Sequence, residues 1–190
     1  MGSFYPELGI MPNFYKSLLP IKHKVFYSFH YKNDVRRAAQ IKNIGFLEGN
    51  KPCQENEWEE IKQNNNAIKN WIDQQMEGRT CCIVLVGQET AYRPWVQYEI
   101  KHAWNRGMGV FGIYIHNVKD PIYGYGRKGA NPFSQNSILS SHFQHSIYAE
   151  PIIPCYDPVC TPDKGSYNDI AQHMKEWIED AISRRKQYPL

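Results

Sequence analysis

A strand, a tight turn and a helix can be read without interruption in residues 80–107, Thr80-Cys-Cys-Ile-Val-Leu-Val-Gly-Gln-Glu-Thr-Ala-Tyr-Arg-Pro-Trp-Val-Gln-Tyr-Glu-Ile-Lys-His-Ala-Trp-Asn-Arg-Gly107. Cys81 to Val86 is unbroken apolar sequence closed by Gly87, the pattern of a central parallel strand covered on both faces. After the polar Gln88-Glu89-Thr90 turn, Trp95, Ile100, Ala103 and Trp104 recur at helical spacing, and Gly107 supplies the stop. Pro94 suits the first helical turn, where its missing N–H costs nothing. The helix therefore starts at the carboxyl end of a central strand, the edge at which open parallel α/β sheets bind ligands. Glu99 lies between Tyr98 and Ile100, beside the buried stripe. Its helical position alone makes it an ordinary surface carboxylate.

The rest of the chain supplies the neighbours of that unit. His23 to Phe29 reads as the first strand, followed by a loop whose Asn33 or Asp34 would cap a helix from Val35 to about Asn43. A short strand is expected at Phe46-Leu47 and a polar loop over 48–57. Helical spacing runs through 57–77, with Asn64-Asn65-Asn66 a point where it could split. Gly109 to Ile115 is a further buried strand, and a long loop rich in Gly and Pro follows it. Loops of such length inside a domain usually carry function or mobility. A last strand is expected near Ile152-Ile153, and a helix over 166–186 keeps Ile170, Met174, Trp177, Ile178 and Ile182 on one stripe.

Strands alternating with helices imply an α/β, flavodoxin-like three-layer domain with a mostly parallel sheet of about five strands. Residues 1–20 read as an N-terminal extension and 21–190 as a single domain. In this order the switch point falls between strands one and three. It gathers the Phe29–Asp34 loop, the Gly87–Arg93 loop and the start of the helix that carries Glu99. That convergence makes Glu99 a candidate rather than a bystander.

At 190 residues, with 42% apolar and 22% charged side chains, the chain can bury a sizeable core. Its net charge of +3 is dispersed; the Arg184-Arg185-Lys186 run complements a helix C-terminus, so no nucleic-acid partner is expected. No apolar stretch is long enough to span a membrane and the N-terminus lacks signal-peptide order, which points to the cytoplasm. Cys155 and Cys160, with His142 and His145, match no zinc-knuckle spacing, so no metal is expected. Gly-x-Gly-x-x-Gly, Gly-Lys-Ser/Thr and Gly-x-Ser-x-Gly are all missing, which excludes Rossmann cofactor, P-loop and serine-hydrolase readings. A phospho-receiver is excluded because Ser28 and Gly87 stand where its acidic residues belong.

Three stretches carry a resemblance: Val25-Phe-Tyr-Ser-Phe-His-Tyr31, Cys82-Ile-Val-Leu-Val-Gly87 and Arg93-Pro-Trp-Val-Gln-Tyr-Glu-Ile100, with Gly129-Ala-Asn-Pro-Phe133 behind them. Over roughly residues 23–135 the chain resembles the TIR-like proteins of bacterial Thoeris anti-phage systems. Its most specific part is the Trp-x-x-x-Glu helix. The segment 43–57 stands where the TIR BB loop belongs but does not align with it residue by residue.

The resemblance implies a catalytic role for Glu99 in cleaving the nicotinamide–ribose bond of NAD, which would be substrate and not cofactor. It implies that Phe29, His30 and Trp95 contact the base or ribose. From the switch-point crevice itself, Arg93 is expected to meet a phosphate and Asp34, in the loop gathered there, to bind substrate. The implied product is an ADP-ribose-derived, cyclic second messenger that activates a separate effector. A phage-derived trigger and self-association would be further partners. Two other readings stay open at this point: a non-enzymatic TIR-type scaffold, and a nucleoside-processing enzyme of similar fold, such as a deoxyribosyltransferase.

Overall fold

A computed structural model gives the arrangement of residues 23–44, 47–49, 64–134, 137–140, 145–161 and 165–189. Strand β1 (His23–Phe29) leads into helix α1 (Tyr31–Lys42), then β2 (Leu47–Glu48), α2 (Asn65–Met76), β3 (Cys81–Val86), α3 (Pro94–Asn105) and β4 (Gly109–Tyr114). A hairpin of β5 (Ser137–Ser140) and β6 (His145–Tyr148) follows, then β7 (Cys155–Tyr156) and α4 (Ser166–Lys186). Five parallel strands lie in the order β2-β1-β3-β4-β7. This is the doubly wound order expected, with its reversal between β1 and β3.

Period-two alternation divides the sheet's side chains between two cores. Val25, Tyr27, Cys81, Ile83, Leu85, Phe111 and Ile113 pack beneath α1 and α4. Phe26, Cys82, Val84, Val86, Val110 and Tyr114 pack against α2 and α3. The adjacent cysteines thus face opposite layers, each fully buried. Gly107, at φ +80°, ends α3 in the left-handed conformation that glycine adopts without strain.

Several elements fall elsewhere than their sequence suggests. Helix α1 starts at Tyr31, four residues before Val35, and its extended N-cap residue is His30. Asp34 therefore does not cap the helix; it lies within the first turn, 3% exposed, where the helix presses it against Gly87. Ile152 and Ile153 form a turn instead of a strand, both amides bonding to the Ala149 carbonyl. This turn drops Ile153 into the core, and pairing with Gly112 begins only at Cys155. The β5–β6 hairpin, unannounced by its Ser- and His-rich sequence, pairs antiparallel outside the main sheet.

The N-terminal extension, most of the 43–57 segment and residues 57–63 of the 57–77 stretch lie outside the described residues. Among the described residues, no helix is long and apolar enough to cross a membrane.

The long loop after β4 is a built structure. Asp120, 1% exposed, accepts from the amides of Ile122 and Tyr123 and from Nε of Arg36 on α1. Arg37 donates to the carbonyls of Val118 and Gly124, and Gln40 donates to that of Lys119. One face of α1 therefore holds the loop in place.

Candidate active site

The turn between β3 and α3 is locked by Thr90. Its fully buried hydroxyl accepts from the Gly87 amide at 2.9 Å and donates to the Leu85 carbonyl at 3.4 Å. A single 3₁₀ turn, Thr90–Tyr92, carries the chain to the Arg93 N-cap and to Pro94 at the helix start. Val96, Ile100, Ala103 and Trp104 then bury one stripe of α3 against the sheet. Glu99 projects from the border of that stripe, half-buried.

Its partner comes from β1. Ser28 points to the α3 side of the sheet, opposite to Tyr27 and Phe29, and donates its hydroxyl proton to Oε2 of Glu99 at 2.5 Å. That is the length of a charge-assisted O–H···O⁻ bond. Burial pushes the Glu99 carboxyl up to about 7, against the opposing pull of the Ser28 hydrogen bond and the charge of Lys42. The carboxyl is thus poised between its charged and neutral forms near neutral pH.

Lys42, the last residue of α1, is a charge that Glu99 feels from the face of the sheet to which Tyr27 and Phe29 point. Its ammonium lies 4.8 Å from the centre of the Phe29 ring and 5.6 Å from that of Tyr27. Burial first, then the charge of Arg79, brings its pKa down to about 8, with Glu99 pulling the other way. Neither Ser28 nor Lys42 is marked as a site residue by sequence spacing. The one available signal is that Ser28 interrupts an otherwise apolar strand on its buried side, where it is 1% exposed.

The other candidate residues fall into three groups. Phe29 follows Ser28 at the end of β1 but packs towards the α1 side of the sheet, under the Lys42 ammonium, and lies 6.2 Å from the exposed ring of Tyr31. His30, Glu89 and Arg93 form a knot beside it. Arg93 pairs with Glu89, and the His30 Nδ1 lies 3.8 Å from the same carboxylate. Burial, followed by the charges of Arg93 and Lys32, lowers the His30 pKa and favours the neutral imidazole.

Trp95 stands on the flank of α3, half-buried and edge-on to Tyr98 at 5.8 Å. Tyr98 stacks in turn on His102, which pairs with Asp73 of α2. Asp34 lies apart from Glu99, in a recess on the other flank of the switch point, with Arg37 at 3.6 Å. Burial raises its carboxyl to about 6, moderated by Arg37.

A half-buried, hydrogen-bonded carboxylate at a sheet's carboxyl edge can orient sugar hydroxyls and stabilise positive charge. With a pKa near neutrality it can also take up a proton.

A family model described as the TIR-like domain of Thoeris protein ThsB matches residues 26–120, half of the chain. The match runs from within β1 to beyond β4 and so includes Ser28, Lys42 and Glu99. A Bacillus cereus (strain MSX-D12) protein named "Putative cyclic ADP-D-ribose synthase ThsB1" is 31% identical over 116 residues. That alignment covers 58% of this chain and 60% of the relative's length.

Proposed function

This chain belongs to the TIR-like domain family of Thoeris protein ThsB, and from that membership we propose that it cleaves the nicotinamide–ribose bond of NAD to make an ADP-ribose-derived, cyclic second messenger. The observation that carries the reading is the Glu99 carboxylate, half-buried at the switch-point edge and held by Ser28 at 2.5 Å. The cyclic product is favoured by the name of the Bacillus cereus relative, a cyclic ADP-D-ribose synthase.

The chemistry suits one carboxylate. The C1′–N bond breaks heterolytically, its electron pair neutralises the pyridinium ring, and nicotinamide leaves without a general acid. The ribosyl cation that remains resembles the oxocarbenium ion of glycoside cleavage. Glu99 accepts hydrogen bonds from the ribose hydroxyls and opposes the developing charge, with Ser28 fixing its orientation. Phe29 and Trp95 supply apolar walls, while His30 and Arg93 approach the rest of the nucleotide. An acceptor within ADP-ribose closes a ring; water gives ADP-ribose. If the acceptor is a hydroxyl, its proton must leave, and a carboxylate with a pKa near 7 is placed to receive it.

In this reading the diffusible product activates a separate effector in the cytoplasm during anti-phage immunity, with a phage-derived trigger and self-association as controls. The test is chromatography with mass spectrometry of NAD incubated with the protein in lysate from phage-infected cells. A new ADP-ribose-derived mass, missing when Glu99→Gln replaces the wild type, is expected. Identical profiles from the two proteins would overturn the reading.

A further inference from the structure

The recess that holds Asp34 is a cleft of about 400 Å³ between the start of α1, the end of β3 and the loop after β4. Glu99, Ser28, Phe29 and Trp95 are not among its walls. Two buried polar atoms of its lining have no hydrogen-bond partner: Oδ2 of Asp34, a residue only 3% exposed, and Nδ1 of His116. Buried polar atoms of this kind ordinarily find a partner. Both orphans can accept a hydrogen bond, so the missing group is one that donates, such as a sugar hydroxyl.

The same cleft is cationic and open to an anion. His30, the N-cap residue of the twelve-residue helix α1, offers no side-chain cap, so the first amides of the helix point outward at Lys32 and Asn33. Lys32 and Arg127 are both exposed at the rim. Arg37, held rigidly by the Val118 and Gly124 carbonyls, stands in the wall with its charge largely balanced by Asp34, so Lys32 and Arg127 supply the surplus positive charge. Tyr123 is 73% exposed there, with the Arg36 guanidinium 4.8 Å from its ring centre, and it offers a flat face at the entrance.

Close packing at Gly87 in the wall of the recess depends on two glycines. A Cβ on Gly87 would stand 2.1 Å from Oδ2 of Asp34, and one on Gly129 would stand 2.0 Å from the Gly87 carbonyl oxygen.

We propose that this cleft is a second ligand site, taking the phosphate and ribose of a ribonucleotide. The phosphate lies at the start of α1 between Lys32 and Arg127, the ribose hydroxyls donate to Asp34 and His116, and the base stacks on Tyr123. The proposal goes beyond NAD cleavage and does not need it.

Calorimetric titration of the full chain with AMP, ribose 5-phosphate and inorganic phosphate tests it. AMP and ribose 5-phosphate are expected to bind, with inorganic phosphate at least about tenfold weaker. The double charge reversal Lys32→Glu/Arg127→Glu, at exposed positions that leave the core intact, should weaken AMP by about tenfold or more. Glu99→Gln and Lys42→Met, which alter only Glu99 and a charge it feels, should leave AMP affinity unchanged.

Absence of AMP binding to the wild type would overturn the proposal, as would binding that survives the charge reversal. Loss of AMP binding on crevice substitution would seat the nucleotide beside Glu99 and overturn it too. Because the readout is heat of binding and not turnover, a protein inert towards NAD still answers the question.

Discussion

The Ser28 hydroxyl and the Glu99 carboxylate, 71 residues apart in the chain, meet at 2.5 Å across the α3 face of the sheet. Their contact depends on three elements at once: the pleat of β1, the Thr90-locked turn and the phase of α3. Glu99→Gln keeps the shape but removes the charge. If Glu99 meets the ribosyl cation, product formation should fall by about a thousandfold or more. Mass-spectrometric quantification of nicotinamide and the ADP-ribose product measures it.

The same substitution should alter stability with a definite sign. The folded carboxyl titrates near 7, well above the unfolded value of about 4.3. Between those two pH values the folded state holds a proton that the unfolded state has lost, so wild-type stability declines as pH rises. The glutamine variant lacks that decline. At pH 8 it should be the more stable protein by on the order of 1–3 kcal/mol, with the gap closing towards pH 4.5. Urea unfolding at the two pH values checks this.

Ser28→Ala deletes the one hydroxyl that favours the charged form of Glu99. A lost hydrogen bond to a charged group amounts to about 1.5–3 kcal/mol, so turnover at pH 7 should drop roughly 10- to 100-fold. The acidic limb of the kcat/KM profile should move to higher pH, whereas a general loosening of the fold would lower the profile at all pH values alike.

Lys42→Met removes a positive charge that lowers the Glu99 pKa while keeping an unbranched apolar side chain against Phe29 and Tyr27. The expected outcome is again an upward shift of the acidic limb. Activity should be depressed at pH 7 and largely recovered by pH 8. Initial rates over pH 6–9 show whether the limb moves.

Gly129→Ala places a methyl 2.0 Å from the Gly87 carbonyl oxygen, a contact that only backbone movement relieves. A destabilisation of about 1–3 kcal/mol is expected, of the size seen for overpacked cores. Thermal unfolding measured by circular dichroism provides the comparison.

The legible parts of the sequence are those where one physical demand dominates. Cys81 to Val86 reads as a central strand because a short apolar run, rich in β-branched residues and closed by Gly87, suits a strand covered on both faces. Glu99 was visible as a candidate because the switch point of such a sheet is a topological consequence, available before any coordinate. Ser28 and Lys42 were not. A serine in a strand ordinarily marks the wet face, and a lysine in a last helical turn ordinarily complements the dipole; only the packing of α3 and the two rings reveals a further use. Asp34 misled for a related reason. Asp at a helix start usually caps, and here the turn after Phe29 is tighter than the sequence suggests, so the same residue is buried.

Cys81 and Cys82 sit side by side in the central strand, one sealed in each layer, and burial raises both thiols far above their ordinary range. Cys160, exposed, is open to solvent. A maleimide that reaches Cys160 directly must wait for the sheet itself to part before it reaches the strand pair. The two thiols are thus a built-in clock for global opening. If they acquire label together, the two layers come apart as one cooperative unit; if one runs ahead, its layer peels first.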